Sequence, residues 1–233
     1  MTPRPALRTL LAVVSLAATA TAPAMAADAP AFQPDKAHTA VLITDPQTDF
    51  MSETGKGWGL VGENVTRLDT NAHIAALMET AKSAGVAVFV SPHGYVETDD
   101  QWLSRGPVQE LLHETGMLET GTPGADFYDP LKPMILDGET VITTPHKIYG
   151  PESNDLALQL RKRGIQTVLL GGFVANLCVD SHMRELTEQG FNVIYVSDAV
   201  GAPGEAAYDA AILNAGMIAN AVWTTAEAVD FLD

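Results

Sequence analysis

The 233-residue sequence contains one cysteine, Cys178. No intramolecular disulfide can form, so the fold rests on its core. Cations are scarce as well: 13 Lys and Arg stand against 29 Asp and Glu, a formal charge of −16. That balance argues against nucleic acid and against anionic membrane surfaces as partners. Long apolar runs are missing too. The longest, Leu10 to Ala20, is too short to anchor a chain in a bilayer.

What is there begins with a leader pattern. Arg4 and Arg8 precede the apolar run, and Ala24-Met25-Ala26 supplies the small-x-small signature of signal-peptidase cleavage. Residues 1–26 are therefore expected to be removed, with Ala27 as the mature N-terminus and the periplasm or the outside as destination. No cysteine follows the run, which argues against a lipoprotein anchor. Removing residues 1–26 from 233 leaves 207, enough for one domain with a sizeable core. Residues 27–38 read as a flexible lead-in, and residues 39–233 as the domain. A hydrophobic content of 46% excludes a disordered chain. An unpaired thiol is a liability in an oxidising compartment. Cys178 is then either a small buried hydrophobe or a functional nucleophile.

Short runs that are apolar throughout suit strands covered on both faces. They are Ala40–Ile43, Val86–Val90, Val141–Thr143, Val168–Leu170, Val193–Val196 and Ala221–Trp223. Helical spacing links Ile74, Leu77, Met78 and Ala81, and again Val179, His182, Met183 and Leu186. Ser153 reads as the cap of a helix through Leu156 and Leu160. Strand alternating with helix predicts an α/β domain with a largely parallel sheet. Two Gly- and Pro-rich stretches, 46–64 and 114–138, read as long functional loops.

In open α/β sheets, ligands bind beyond the carboxyl ends of the strands. The first strand runs into Asp45, the third into Thr144-Pro145-His146-Lys147, and the fourth into Gly171-Gly172-Phe173-Val174-Ala175-Asn176-Leu177-Cys178. A base, a cation and the sole thiol thus share one rim. A helix start and a nearby cation would both favour the thiolate of Cys178. Asp45 could take the thiol proton and return it to a leaving amine.

Asp45-x-Gln47-x-x-Phe50, Lys147-x-Tyr149-Gly150, and Gly172 through Val179, followed by Asp198-Ala199, resemble the isochorismatase-like cysteine hydrolases. The similarity runs from about residue 38 to 231. It implies a Rossmann-like three-layer sandwich with a six-stranded, mainly parallel sheet of order 3-2-1-4-5-6. It also implies an Asp45–Lys147–Cys178 triad, a cis peptide before Val174, and an oxyanion hole made by the amides of Val174 and Cys178. Nicotinamidase relatives carry an Asp-x-His metal site after the second strand, where this chain reads Ser91-Pro92-His93-Gly94. Asp180-Ser181-His182 falls inside a helix, where i and i+2 face apart. No metal and no cofactor are therefore expected. Members that act on isochorismate lack the nucleophilic cysteine, so that chemistry is not expected either.

Among the rim residues, Phe50, Trp58, His93, Tyr149 and Asn176 are candidates to line a pocket, with Tyr95 and Trp102 as further aromatics. His182 reads as a satisfied core histidine. The expectation is an exported cysteine hydrolase of a C–N bond in a small molecule. Ester or imide hydrolysis, and a non-catalytic binding protein on the same fold, stay open, as does assembly into a homo-oligomer.

Overall fold

The computed structural model describes residues 32–101 and 105–233. The expected leader, its cleavage point and Trp102 lie outside the described residues. Just before the first strand, Lys36–His38 form a 3-10 turn, and the Asp35 side chain accepts from Ala37 N at 3.0 Å. The end of the expected lead-in is thus hydrogen-bonded.

Six strands follow: β1 (Thr39–Thr44), β2 (Ala87–Ser91), β3 (Val141–Ile142), β4 (Thr167–Phe173), β5 (Asn192–Gly201) and β6 (Ala221–Trp223). They form one sheet of order β3-β2-β1-β4-β5-β6, parallel at every pairing. Nine helices accompany them among the described residues. These are α1 (Thr48–Met51), α2 (Trp58–Leu68), α3 (Thr70–Ser83), α4 (Pro107–Thr115), α5 (Lys132–Ile135), α6 (Leu156–Lys162), α7 (Asp180–Glu188), α8 (Glu205–Ile218) and α9 (Thr225–Leu232). None is long and apolar enough to cross a membrane.

The apolar strands have a simple cause. Successive side chains alternate across a sheet, and here both faces are covered. On β1, Val41 and Ile43 join a core with Val65, Ile74, Leu77 and Met78 of α2 and α3. Ala40 and Leu42 join the opposite core, with Leu156, Leu160, Met183 and Leu186 of α6 and α7. Every residue of β1 is buried.

All six expected strands are present, with β3 shortened to two residues. Two readings need correction. Ser153 does not cap α6, because its hydroxyl donates to Tyr149 O at 2.6 Å. Asn154 supplies the acceptor instead, with Leu156 N at 3.0 Å from its Oδ1. Residues 46–64 are not irregular throughout, since α1 and the first turns of α2 occupy much of them. Gly57, Gly59 and Gly62 hide that helix from a composition reading.

At the carboxyl end of β4 the register against β5 shifts between Leu170 and Gly172. Gly172 has φ +117, and a Cβ there would lie 2.0 Å from Thr44 O. Only glycine fits. Thr44 Oγ1 donates to Phe173 O at 3.1 Å, holding the β4 exit against the β1 exit. That contact sets the distance between the two chain segments that carry Asp45 and Cys178.

Candidate active site

Asp45 follows β1 in the left-handed conformation, φ +51, which short polar side chains tolerate. Its N–H donates to Ser91 O at 3.0 Å, and its carboxylate is fully buried. Oδ1 accepts from His146 Nε2 at 2.7 Å. Oδ2 makes no hydrogen bond of ordinary length and lies 3.8 Å from His93 Nδ1.

The charge of His146 follows from its partners. Nδ1 faces the Lys147 carbonyl and Nε2 faces a carboxylate oxygen, and both are acceptors. Both ring nitrogens must donate, so the ring is an imidazolium. Burial pushes its pKa down, but the charge and hydrogen bond of Asp45 win and hold it above the ordinary value. Burial likewise pushes Asp45 up, and the His146 charge, with His93 adding to it, holds the carboxyl well below the usual range.

Cys178 sits in a π-helical turn, Ala175–Val179, that leads into α7, and it is buried. Its sulfur lies 3.7 Å from His93 Nδ1, the same nitrogen that stands 3.8 Å from Asp45 Oδ2, so one imidazole borders both the thiol and the carboxylate. The backbone amides of Val174 and Cys178 favour the thiolate form of that sulfur. The Phe173–Val174 peptide is cis. Burial, then the negative Asp45, push the thiol pKa well above its ordinary value against the pull of those amides. The resting pair is thus carboxylate and thiol. The helix start and cation expected to favour the thiolate do not prevail: burial and the carboxylate outweigh the turn's amides.

His93 is buried and neutral, its pKa lowered chiefly by burial. Gln47 locks it in place. The Gln47 amide donates to His93 O at 2.9 Å and to Ala125 O at 2.7 Å, while its carbonyl accepts from His93 N at 2.8 Å. His182 is the satisfied core histidine expected. Its Nδ1 donates to Cys178 O at 2.7 Å, and Nε2 accepts from Ser91 Oγ at 3.0 Å. Gly150 gives its ring room, since a Cβ there would lie 2.3 Å from Nδ1.

The profile of the isochorismatase domain matches residues 39–227. The chain belongs to the isochorismatase family. A solved cysteine hydrolase from Pseudomonas syringae pv. phaseolicola 1448A superposes with a TM-score of 0.72 at 25% identity, covering 86% of this chain and 95% of that one. The ureidoacrylate amidohydrolase of Enterobacter sp. (strain 638) is 26% identical over 207 residues, 83% of this chain and 88% of its own. A secreted isochorismatase effector of Verticillium dahliae is 32% identical over 102 residues, a match spanning 42% of this chain and 52% of the effector.

In this member of the family, Asp45 and Cys178 flank the same ring nitrogen of His93. The Lys147 ammonium is turned elsewhere: it donates to Gly94 O at 2.7 Å, pairs with Asp99, and lies 4.8 Å from the centre of the Tyr95 ring. No hydrogen bond joins it to Asp45 or Cys178, and the cation on Asp45 is His146. Of the pocket candidates, Phe50 and His93 line a cavity beside Cys178. Tyr149 does not, being half exposed with its hydroxyl on Glu185 at 3.0 Å. Trp58 packs on the core from the start of α2. Asn176 lies outside that cavity lining, with a buried Oδ1 that has no partner.

His146 and Gln47 were present in the sequence without an assigned role. Lys147 drew the cation role because it stands next to His146 and fits the resemblance. The usable signal was a histidine directly after Pro145 at a strand exit, facing a rim that already held a carboxylate. One metal-type donor cluster exists among the described residues: His93, His146 and Cys178 offer atoms within 4.8 Å of one another. A cation there would have to displace the proton on His146 Nε2 and occupy the thiol.

Proposed function

We propose that this chain is an exported cysteine hydrolase that cleaves an amide-type C–N bond through a thioester. The observation that carries the reading is Asp45 Oδ2, a buried carboxylate oxygen with no hydrogen bond of its own, set beside a protonated thiol. A buried acceptor left open is costly unless it has a use, and the thiol whose pKa this carboxylate raises is a proton source for it. The likeness to a cysteine hydrolase and to an amidohydrolase supports the same reaction class.

In this mechanism Oδ2 takes the Cys178 proton as the sulfur attacks the substrate carbonyl carbon. The carbonyl oxygen becomes negative and is met by the amides of Val174 and Cys178. Asp45 then gives the proton to the leaving nitrogen, the C–N bond breaks, and the acyl group stays on sulfur. A water loses its proton to Asp45 and attacks the thioester. The acid leaves, and the sulfur recovers the proton. His146 stays charged throughout and keeps Oδ1 occupied, so that only Oδ2 takes part. Lys147 joins the β3 exit to the β2 exit through Gly94 O, and its charge helps keep His93 neutral.

Export rests on Arg4, Arg8 and Ala24-Met25-Ala26, with the secreted fungal relative in support. Intact mass of the exported protein should start at Ala27, and a cytoplasmic species retaining residues 1–26 would overturn export. For the chemistry, ammonia release is screened over amides, ureas and imides, with mass spectrometry of the quenched enzyme. An acyl adduct on Cys178 that disappears on hydrolysis is expected. An inert thiol with no turnover across the screen would favour a binding protein instead.

A further inference from the structure

The cavity beside Cys178 bounds about 50 Å3, and Phe50, Val108, Leu112, Ile148, Val174 and Leu177 are among its walls. The wall it exposes is wholly apolar, and its titratable members are His93 and Cys178. Both are uncharged at rest, since burial pushes His93 down and the thiol up. Beyond the lining, Asp45 is paired with His146 and Lys147 with Asp99. A carboxylate entering this space would lose its water and meet no lysine or arginine among the described lining residues.

We propose that the substrate is an uncharged amide whose acyl part is a small apolar group, a short aliphatic chain, seated in this cavity. This rests on the hydrolase reading above, because a thioester leaves the acyl part on the sulfur that the cavity surrounds. Val108, on α4 and only partly buried, is a specificity-determining position. An arginine there can keep its head group at the water edge while offering a cation to the cavity.

The test uses the full mature protein and matched amides: isobutyramide and propionamide against the anions succinamate and maleamate. Hydrolysis of the neutral pair is expected at a kcat/KM at least 100-fold above the anionic pair. In Val108→Arg the gap should narrow by 10-fold or more, with an unchanged melting temperature as the control for folding. A second readout needs no turnover: Cys178 alkylation by iodoacetamide and by iodoacetate, each divided by the rate for free cysteine at the same pH. The neutral reagent should be favoured by 10-fold or more. Anionic amides cleaved as well as neutral ones would overturn the substrate class while leaving the hydrolase reading intact. No turnover of any amide together with a strong neutral preference in alkylation would sink the hydrolase reading and keep the apolar cavity. Equal alkylation by the two reagents overturns the proposal outright.

Discussion

Asp45 Oδ1 and His146 Nε2 lie 2.7 Å apart with both side chains fully buried, and the imidazole's other nitrogen is spent on a backbone carbonyl. An ion pair this dry is a weak source of net stability, but removing one partner leaves the other charged and unpaired. His146→Ala should destabilise by about 3–5 kcal/mol, a drop on the order of 10 °C in Tm for a chain of this size. Turnover should fall 100-fold or more, because the carboxylate loses its orientation. The double variant His146→Gln, Asp45→Asn should regain most of the stability and none of the activity. Calorimetry and kinetics of the three proteins decide it, and an active His146→Ala would remove His146 from the machinery.

The sheet was legible because burial on both faces writes itself as uninterrupted apolar runs, and six such runs became six strands. Asp45 and Cys178 were legible because strand exits define the rim. The identity of the buried cation was not. Which of two adjacent residues, His146 or Lys147, turns inward depends on the path after Pro145 and on His182 packing edge-on against His146, with ring centres 4.6 Å apart. No periodicity reports such a turn. Helix α2 was hidden for another reason: its glycines lower propensity, and tertiary packing overrides that.

Metal dependence has a clear expected outcome. Activity should survive extended chelation, and elemental analysis of active enzyme should show no stoichiometric zinc or iron. Added zinc should inhibit reversibly, because His93, His146 and Cys178 can converge on one soft cation only by surrendering the thiol. Protection of Cys178 from alkylation by zinc would locate the effect. Activation by zinc would reverse the expectation.

His182 sets a pH signature on stability. Burial pushes its pKa from 6.5 down to about 3, and His93 is shifted in the same direction. In the unfolded chain both take up protons below pH 6.5, while in the folded state they resist. Stability should therefore fall as pH drops from 6.5 towards 5.5, by at most about 1.4 kcal/mol per unit for each histidine. His146 is shifted up, so its contribution is complete below pH 6.5 and is lost only as pH rises through its folded value. Asp45 is shifted down, and its contribution is complete above its ordinary 3.8. Between pH 5.5 and 6.5, above the range in which the carboxylates protonate, the shifted groups that set the slope are thus His93 and His182. Denaturant titrations of His182→Gln across that range should give a flatter slope than wild type, and an unchanged slope would assign it elsewhere.

Asp45 and Cys178 should behave as one unit. Cys178→Ala and Asp45→Asn should each lower turnover by several orders of magnitude, and the double variant should be little worse, because a base without its nucleophile has nothing to activate. The thiol separates the two roles. In the wild type, burial and the carboxylate raise its pKa, so alkylation of the resting enzyme should require a higher pH than free cysteine does. Asp45→Asn removes the neighbouring negative charge while the amides of Val174 and Cys178 stay on the sulfur. Its alkylation profile should shift to lower pH than wild type even as turnover collapses. Reactivity and catalysis would then move in opposite directions, as expected of a base and not of a residue that merely supports the fold. A profile that stays in place, or moves to higher pH, would mean that the carboxylate does not bear on the thiol, and the proton transfer from Cys178 to Asp45 would fail with it.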